Sequence, residues 1–158
     1  MSLFVSEAEL VPGQAMVGLH SGQMKTLFVY GNEANMMIAT RFAGYHSKPH
    51  RHTPEQLNYV LEGELWIFIE EEGWHLKKGD FLRIPGNALH WAWNRGTGPC
   101  TMAQVHAPVL FPDARKGALG LFDEKETPQV RKSPPQETID MDVSEIERRV
   151  FERKGVKY

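Results

Sequence analysis

An all-β fold is what this sequence predicts, on three observations. From about residue 24 to 107, short runs rich in β-branched, aromatic and methionine residues follow one another. Gly63, Gly73, Gly79, Pro85-Gly86 and the stretch from Gly96 to Pro99 separate them as turns. No run alternates strand with helix patterns, as a parallel sheet would require. Many short strands joined by small turns make a sandwich or barrel.

Taken in order, residues 1–23 form an N-terminal arm, 24–112 the barrel and 113–158 a C-terminal extension. Strands are expected at TLFVY (26–30), NMMIATRF (35–42), PHRH (49–52), QLNYVLE (56–62) and ELWIFIE (64–70). WHLK (74–77), FLRI (81–84), ALHWAWN (88–94) and CTMAQVHA (100–107) come after them. Beyond residue 108 the chain turns charged and proline-bearing, the texture of an extended segment. It ends in a helix near 142–154, where Val143, Ile146, Val150 and Phe151 recur at helical spacing. Asp142 and Glu145 suggest a capping box and Gly155 a stop. There is no internal repeat.

At 158 residues the chain has the size of one domain, which buries about two thirds of the surface its unfolded form exposes. A single cysteine, Cys100, excludes an intrachain disulfide and reads as a small buried apolar residue. No apolar run approaches the ~18 residues of a membrane span, and the N-terminus lacks a basic start with an apolar core. A cytoplasmic protein is the expectation. The net charge of −2, with acids and bases mixed, gives no field for nucleic acid or a membrane surface. The expected partner is a small molecule.

The chemistry lies in PHRHTPEQ, residues 49–56. Side chains alternate faces along a strand, so His50 and His52 point the same way and can chelate one ion. On the next strand Gln56, Asn58 and Val60 share a face, whereas Glu55 is out of phase and a poor ligand. His90, carried into a strand by a Pro-Gly turn, can close the site.

These residues carry a resemblance. Gly44-x5-His50-x-His52-x3-Gln56-x6-Gly63 resembles the first cupin motif, with glutamine in the glutamate position. Gly79-x5-Pro85, then His90-x3-Asn94, resembles the second, and residues 64–78 match the short spacer of compact single-domain cupins. The resemblance implies a double-stranded β-helix, a jelly roll, with one divalent transition metal ion (Zn, Ni, Fe or Mn) held by His50, His52, Gln56 and His90.

Three neutral imidazoles and a carboxamide leave a divalent ion its full charge, a setting that favours anionic oxygen. Cupins with this ligand pattern include uronate-linearising enzymes, aromatic polyketide cyclases and hydroxynitrile lyases. HRHTPEQ and LKKGDFLRIPGNALH are most similar to the uronate group. That group has an acid, an aromatic and an arginine on and after its last strand. AQVHAPVL here has Gln104 and His106 at the first two places and no arginine in register. His106, sharing a face with Gln104, is a candidate fifth ligand or general base.

Arg41, Arg83 and Arg95 are candidates for gripping an anion, and His20, His46 and His75 read as solvated. Trp66, Phe68, Trp91 and Trp93 fall opposite the inward aliphatics and His90. As an outward patch they predict a homodimer built from sheet surfaces; in the competing reading Trp66 and Phe68 wall a pocket. The function expected first is metal-dependent isomerase, lyase or cyclase chemistry on an anionic or enolisable substrate. An iron-dependent dioxygenase and a non-catalytic binding barrel are the alternatives.

Overall fold

The computed structural model describes residues 6–10, 22–31, 33–110, 119–120 and 136–158. His20 and most of the expected N-terminal arm lie outside them. After a short 3-10 turn at Glu7–Glu9, the described chain runs through eleven strands. These are β1 (Met24–Tyr30), β2 (Asn35–Arg41), β3 (His50–Arg51), β4 (Glu55–Glu62), β5 (Glu64–Ile69) and β6 (Glu72–Lys77). Then come β7 (Phe81–Ile84), β8 (His90–Trp93), β9 (Cys100–Ala107), β10 (Leu119–Gly120) and β11 (Glu137–Thr138), before helix α1 (Ser144–Arg153).

Two sheets face each other. One has the order β10-β1-β2-β9-β4-β7 and the other β11-β3-β8-β5-β6. The crossing of the chain between them makes the expected jelly roll. Alternation decides what lies between the sheets: Leu65 and Ile67 of β5 point inward with Val60, Ile84, Ala92, Cys100 and Met102. Cys100 is fully buried and burial pushes its thiol up to about 11, which leaves it a packing residue. Two short strands fall in the extension that the sequence reads as merely extended: β10 pairs parallel to β1 and β11 antiparallel to β3. Among the described residues, no helix is long and apolar enough to cross a membrane.

The turn before β8 packs against the segment that joins β3 to β4. Asn87 adopts a left-handed φ of 64°, and its N–H donates to the His52 carbonyl at 2.8 Å. A Cβ on Gly86 would run into the Thr53 carbonyl oxygen, so glycine lets the turn lie directly against the chain that carries the second histidine. Gly63, at φ 76°, turns β4 into β5 where a Cβ would strike the Pro99 carbonyl oxygen.

The aromatic residues on the outer face of β5 and β8 are covered largely by the chain's own C-terminal helix rather than left as an open patch. Trp66, Phe68 and Trp91 are buried under α1 of the same chain, together with Val143, Val150 and Phe151. Phe151 meets the Trp66 and Phe68 rings edge-on at 4.7 and 5.8 Å, while Phe68 and Trp91 stack at 5.1 Å. The apolar stripe of the helix finds its surface in cis. Its start differs from a capping box: Val143 is the N-cap residue, and Asp142 accepts from the Ser144 N–H at 2.9 Å. Gly155 comes just after the helix at φ 65°.

Glu147 stands in the middle of that buried stripe. Its Oε1 accepts from Trp91 Nε1 at 2.8 Å and from His46 Nε2 at 2.7 Å, and its Oε2 accepts from the Tyr158 hydroxyl at 3.3 Å. His46, read from the sequence as solvated, is buried and stacked on Trp93 at 4.5 Å. The carboxylate is tolerated because its lone pairs are used. His75 is partly exposed and stacks on Trp66 at 5.0 Å.

Candidate metal centre

The five-stranded sheet supplies three histidines. His50 of β3 lies directly opposite His90 of β8 in the register, and His52 stands two residues further on. Side-chain nitrogens of all three lie within 4.8 Å of one another. The rings stand edge to face, His50 against His90 at 4.2 Å and His52 against His90 at 4.8 Å.

Each ring is fixed by its far nitrogen. Nδ1 of His50 donates to Lys48 O at 2.8 Å, Nδ1 of His52 to Pro54 O at 2.8 Å and Nδ1 of His90 to Ala88 O at 2.9 Å. A carbonyl can only accept, so the Nδ1 proton is settled in all three and Nε2 carries the lone pair. Desolvation lowers His50 to about 4, lowers His52, and with the neighbouring His50 holds His90 well below its ordinary range. Neutral imidazole is the ligating form.

The facing sheet supplies Gln56, and a buried polar network sets its direction. The guanidinium of Arg41 can only donate, and Nη2 reaches Gln104 Oε1 at 3.1 Å. Gln104 therefore turns its amide nitrogen to Asn58 Oδ1, 2.6 Å away. Asn58 in turn gives its own Nδ2 to the Leu82 carbonyl at 3.1 Å. Its oxygen is thus left to accept a second time, from Gln56 Nε2 at 2.7 Å. Gln56 Oε1 then faces the histidines. A glutamate at this position would set oxygen against oxygen at Asn58, which is a physical reason for the carboxamide.

His106 sits opposite Gln56 on β9, and Asn35 of β2 opposite His106. The Leu110 N–H donates to Asn35 Oδ1 at 2.8 Å, so Asn35 Nδ2 points to His106 Nδ1 at 3.1 Å. The His106 proton is then on Nε2, which donates to Gln56 Oε1 at 3.1 Å. Both ring nitrogens are engaged, and burial lowers the group to about 3, which makes it a weak base. Gln104 is likewise fully used.

Do these groups suit a cation? His90 Nε2 is buried with no hydrogen-bond partner. His52 Nε2, with its proton on Nδ1, meets Gln56 Oε1 at 3.3 Å as one acceptor against another. The ligand nitrogens of His50, His52 and His90 thus lie together with the Gln56 oxygen beside them and no donor among the imidazole lone pairs, a set that one bound cation would satisfy. The neutral nitrogen and carboxamide donors suit a divalent transition ion.

Residues 42–106 match the family model described as a cupin domain. That segment, which holds all four candidate ligands, is similar to a cupin domain. Among solved structures, the polyketide cyclase RemF from Streptomyces resistomycificus is similar over 93% of this chain and 92% of its own, with a TM-score of 0.62 at 14% identity. That likeness is one of fold. Among curated proteins, the HTH-type transcriptional regulator PuuR of Escherichia coli is 24% identical over 123 residues, 70% of this chain and 66% of the regulator. The acireductone dioxygenase of Leptospira biflexa is 40% identical over 48 residues, 28% of this chain and 27% of that enzyme. The chain thus spans just under two thirds of the regulator and about a quarter of the dioxygenase.

Of the three arginines singled out in the sequence, Arg41 lines the cavity above the histidines. Arg83 pairs with Glu55 at 2.7 Å on the surface, and Arg95 lies over the Trp93 and Phe151 rings at 4.9 and 4.4 Å. Arg41 comes from the end of β2, not from the last strand. Asn35 and Asn58 are the polar residues the sequence leaves without a role. Asn58 is signalled by sharing a face with Gln56, but the pairing that makes it the pivot of the network is long-range.

Proposed function

We propose that this protein is a metal-dependent cupin enzyme that isomerises, cleaves or cyclises a small anionic or enolisable oxygenated substrate. His50, His52, His90 and Gln56 would hold the ion. The observation that carries the reading is the cluster of His50, His52 and His90, whose ligand atoms lie within 4.8 Å of one another, with His90 Nε2 unpartnered and Gln56 Oε1 against His52 Nε2. A divalent ion bound there supplies electrostatic stabilisation for negative charge developing on a substrate oxygen.

The protein's own groups do the rest. Arg41, Gln104, Asn58 and His106 hold the Gln56 oxygen toward the site, His106 acting as a positioning residue. Met24, Phe28, Met37, Ile67, Ile84 and Leu110 give the cavity, about 380 Å³, an apolar lining that excludes water from the reacting atoms.

Incubation with a panel of 2-oxo and 3-oxo carboxylates in deuterium oxide, with NMR as the readout, tests the chemistry. Deuterium should enter the carbon next to the carbonyl, stop after chelator treatment and resume when zinc, nickel or manganese is restored. Exchange indifferent to the chelator would count against the reading. The dioxygenase match favours a second reading, oxygen-dependent cleavage with iron, for which oxygen uptake is the measurement. The regulator match favours a third, a ligand-binding barrel without turnover.

For the expected homodimer we propose a different face from the one the sequence suggests, because α1 covers much of the latter. Phe81 of β7 is 77% exposed, its ring tilted against Tyr59 at 4.5 Å, and Leu57 and Leu61 of β4 add 49% and 40% exposure beside it. A second copy of the chain is the proposed occupant of this outer sheet face. Light scattering at micromolar concentration should give a dimer that Phe81→Asp converts to monomer; a monomeric native protein ends the proposal.

A further inference from the structure

Arg41 is a buried cation without an anion. Its side chain comes from β2 into the cavity, and the residue is only 7% exposed. Nε has no hydrogen-bond partner. Nη1 reaches only the Met102 thioether, at 3.7 Å, and Nη2 only a neutral amide oxygen, that of Gln104 at 3.1 Å. The Tyr45 ring lies below the guanidinium at 5.8 Å. Among the described residues no carboxylate pairs with it, although Arg83, Arg148 and Arg153 on the surface all have one.

A guanidinium out of water keeps its charge, so the structure leaves it wanting a counter-ion. The groups beside it cannot provide one. The rest of the cavity wall is uncharged: aliphatic, thioether, aromatic, amide and imidazole groups and the Ser47 hydroxyl, with Arg41 the single always-charged side chain that lines it among the described residues. The relay of Gln104, Asn58 and Gln56 ties the guanidinium to the histidine cluster, so a ligand held at Arg41 extends toward the metal centre.

We infer that Arg41 is the carboxylate-binding subsite of this cavity, and that the ligand class is a small carboxylate with an apolar body. This rests on the enzymatic reading for the ligand's fate, but not for its binding. A planar carboxylate matches the donor fork of arginine; the apolar walls take the remainder of the molecule, and its far end is left to face the histidines.

The test uses chelator-stripped protein, so that only Arg41 is available to recognise the charge. Benzoate and benzamide, which have the same shape, are titrated by calorimetry. Benzoate should bind at least about tenfold more tightly than benzamide, as a charge-assisted fork requires. Arg41→Met should abolish the difference, and Arg41→Lys should keep part of it, because the charge survives and the fork does not. Equal binding of acid and amide by the native protein overturns the proposal, as does an undiminished preference in Arg41→Met. The first comparison needs no variant and so does not depend on how the substitutions fold. Failure of the metal reading would show itself differently, as native protein that takes up no zinc or nickel while still preferring benzoate.

Discussion

A His90→Ala protein should lose metal retention, with affinity for zinc or nickel lowered by well over the ~100-fold typical of losing a mere supporting partner of a ligand. His90 contributes the buried nitrogen that has no partner in the protein, and its ring is held by Ala88 O so that this nitrogen faces His50 and His52. Alanine leaves two imidazoles and an amide, too few for a tight site. Elemental analysis after gel filtration is the measurement, with His106→Ala as its companion. That second variant should still bind metal, more weakly by about 10–100-fold, because it removes only the donor that orients Gln56 Oε1. If His90→Ala carries as much metal as the native protein, the ion, if any, is elsewhere. If His106→Ala loses it as completely, His106 is a ligand.

Truncating Phe151 should have the largest effect on stability. The ring is fully buried between Trp66, Phe68 and Trp93, and it carries the Arg95 guanidinium over its face at 4.4 Å. Phe151→Ala opens a cavity among large rigid rings that cannot collapse into it, at a cost of about 3–5 kcal/mol. For a chain of this size that is a fall of about 10 °C in Tm. Thermal denaturation monitored by circular dichroism gives the value, and a loss under about 1 kcal/mol would mean that α1 is not seated on these rings. Metal content at room temperature should be retained, since the helix covers the outer face of the sheet and the histidines lie on the inner one.

The strand pattern, the turn glycines and the spacing of His50, His52, Gln56 and His90 are local features, and local geometry decides them: alternation puts residues two apart on one side of a strand wherever that strand ends up. So the all-β class, the inward set of Leu65, Ile67 and Ala92, and the meeting of three histidines are legible in the chain. The same alternation places Trp66, Phe68 and Trp91 outward but does not say what covers them. That was decided by α1, far downstream of Trp91 in the chain, whose apolar stripe needed a surface as much as the tryptophans did. Glu147 was illegible for a related reason: a carboxylate inside an apolar stripe looks solvated until Trp91 and His46 are brought to it.

The sequence by itself singled out His50, His52, Gln56 and His90 as candidate ligands, with an uncharged amide in place of a carboxylate. Only the tertiary structure decided why. Cross-strand pairing of β2, β4 and β9 places Asn35, Asn58, Gln104 and His106 around Gln56, and Arg41 and the Leu82 carbonyl fix the direction of the network. Hydrogen-bond direction in a closed network depends on its donor-only and acceptor-only ends. Those ends lie far from Gln56 in sequence, so no reading of HRHTPEQ alone could supply them.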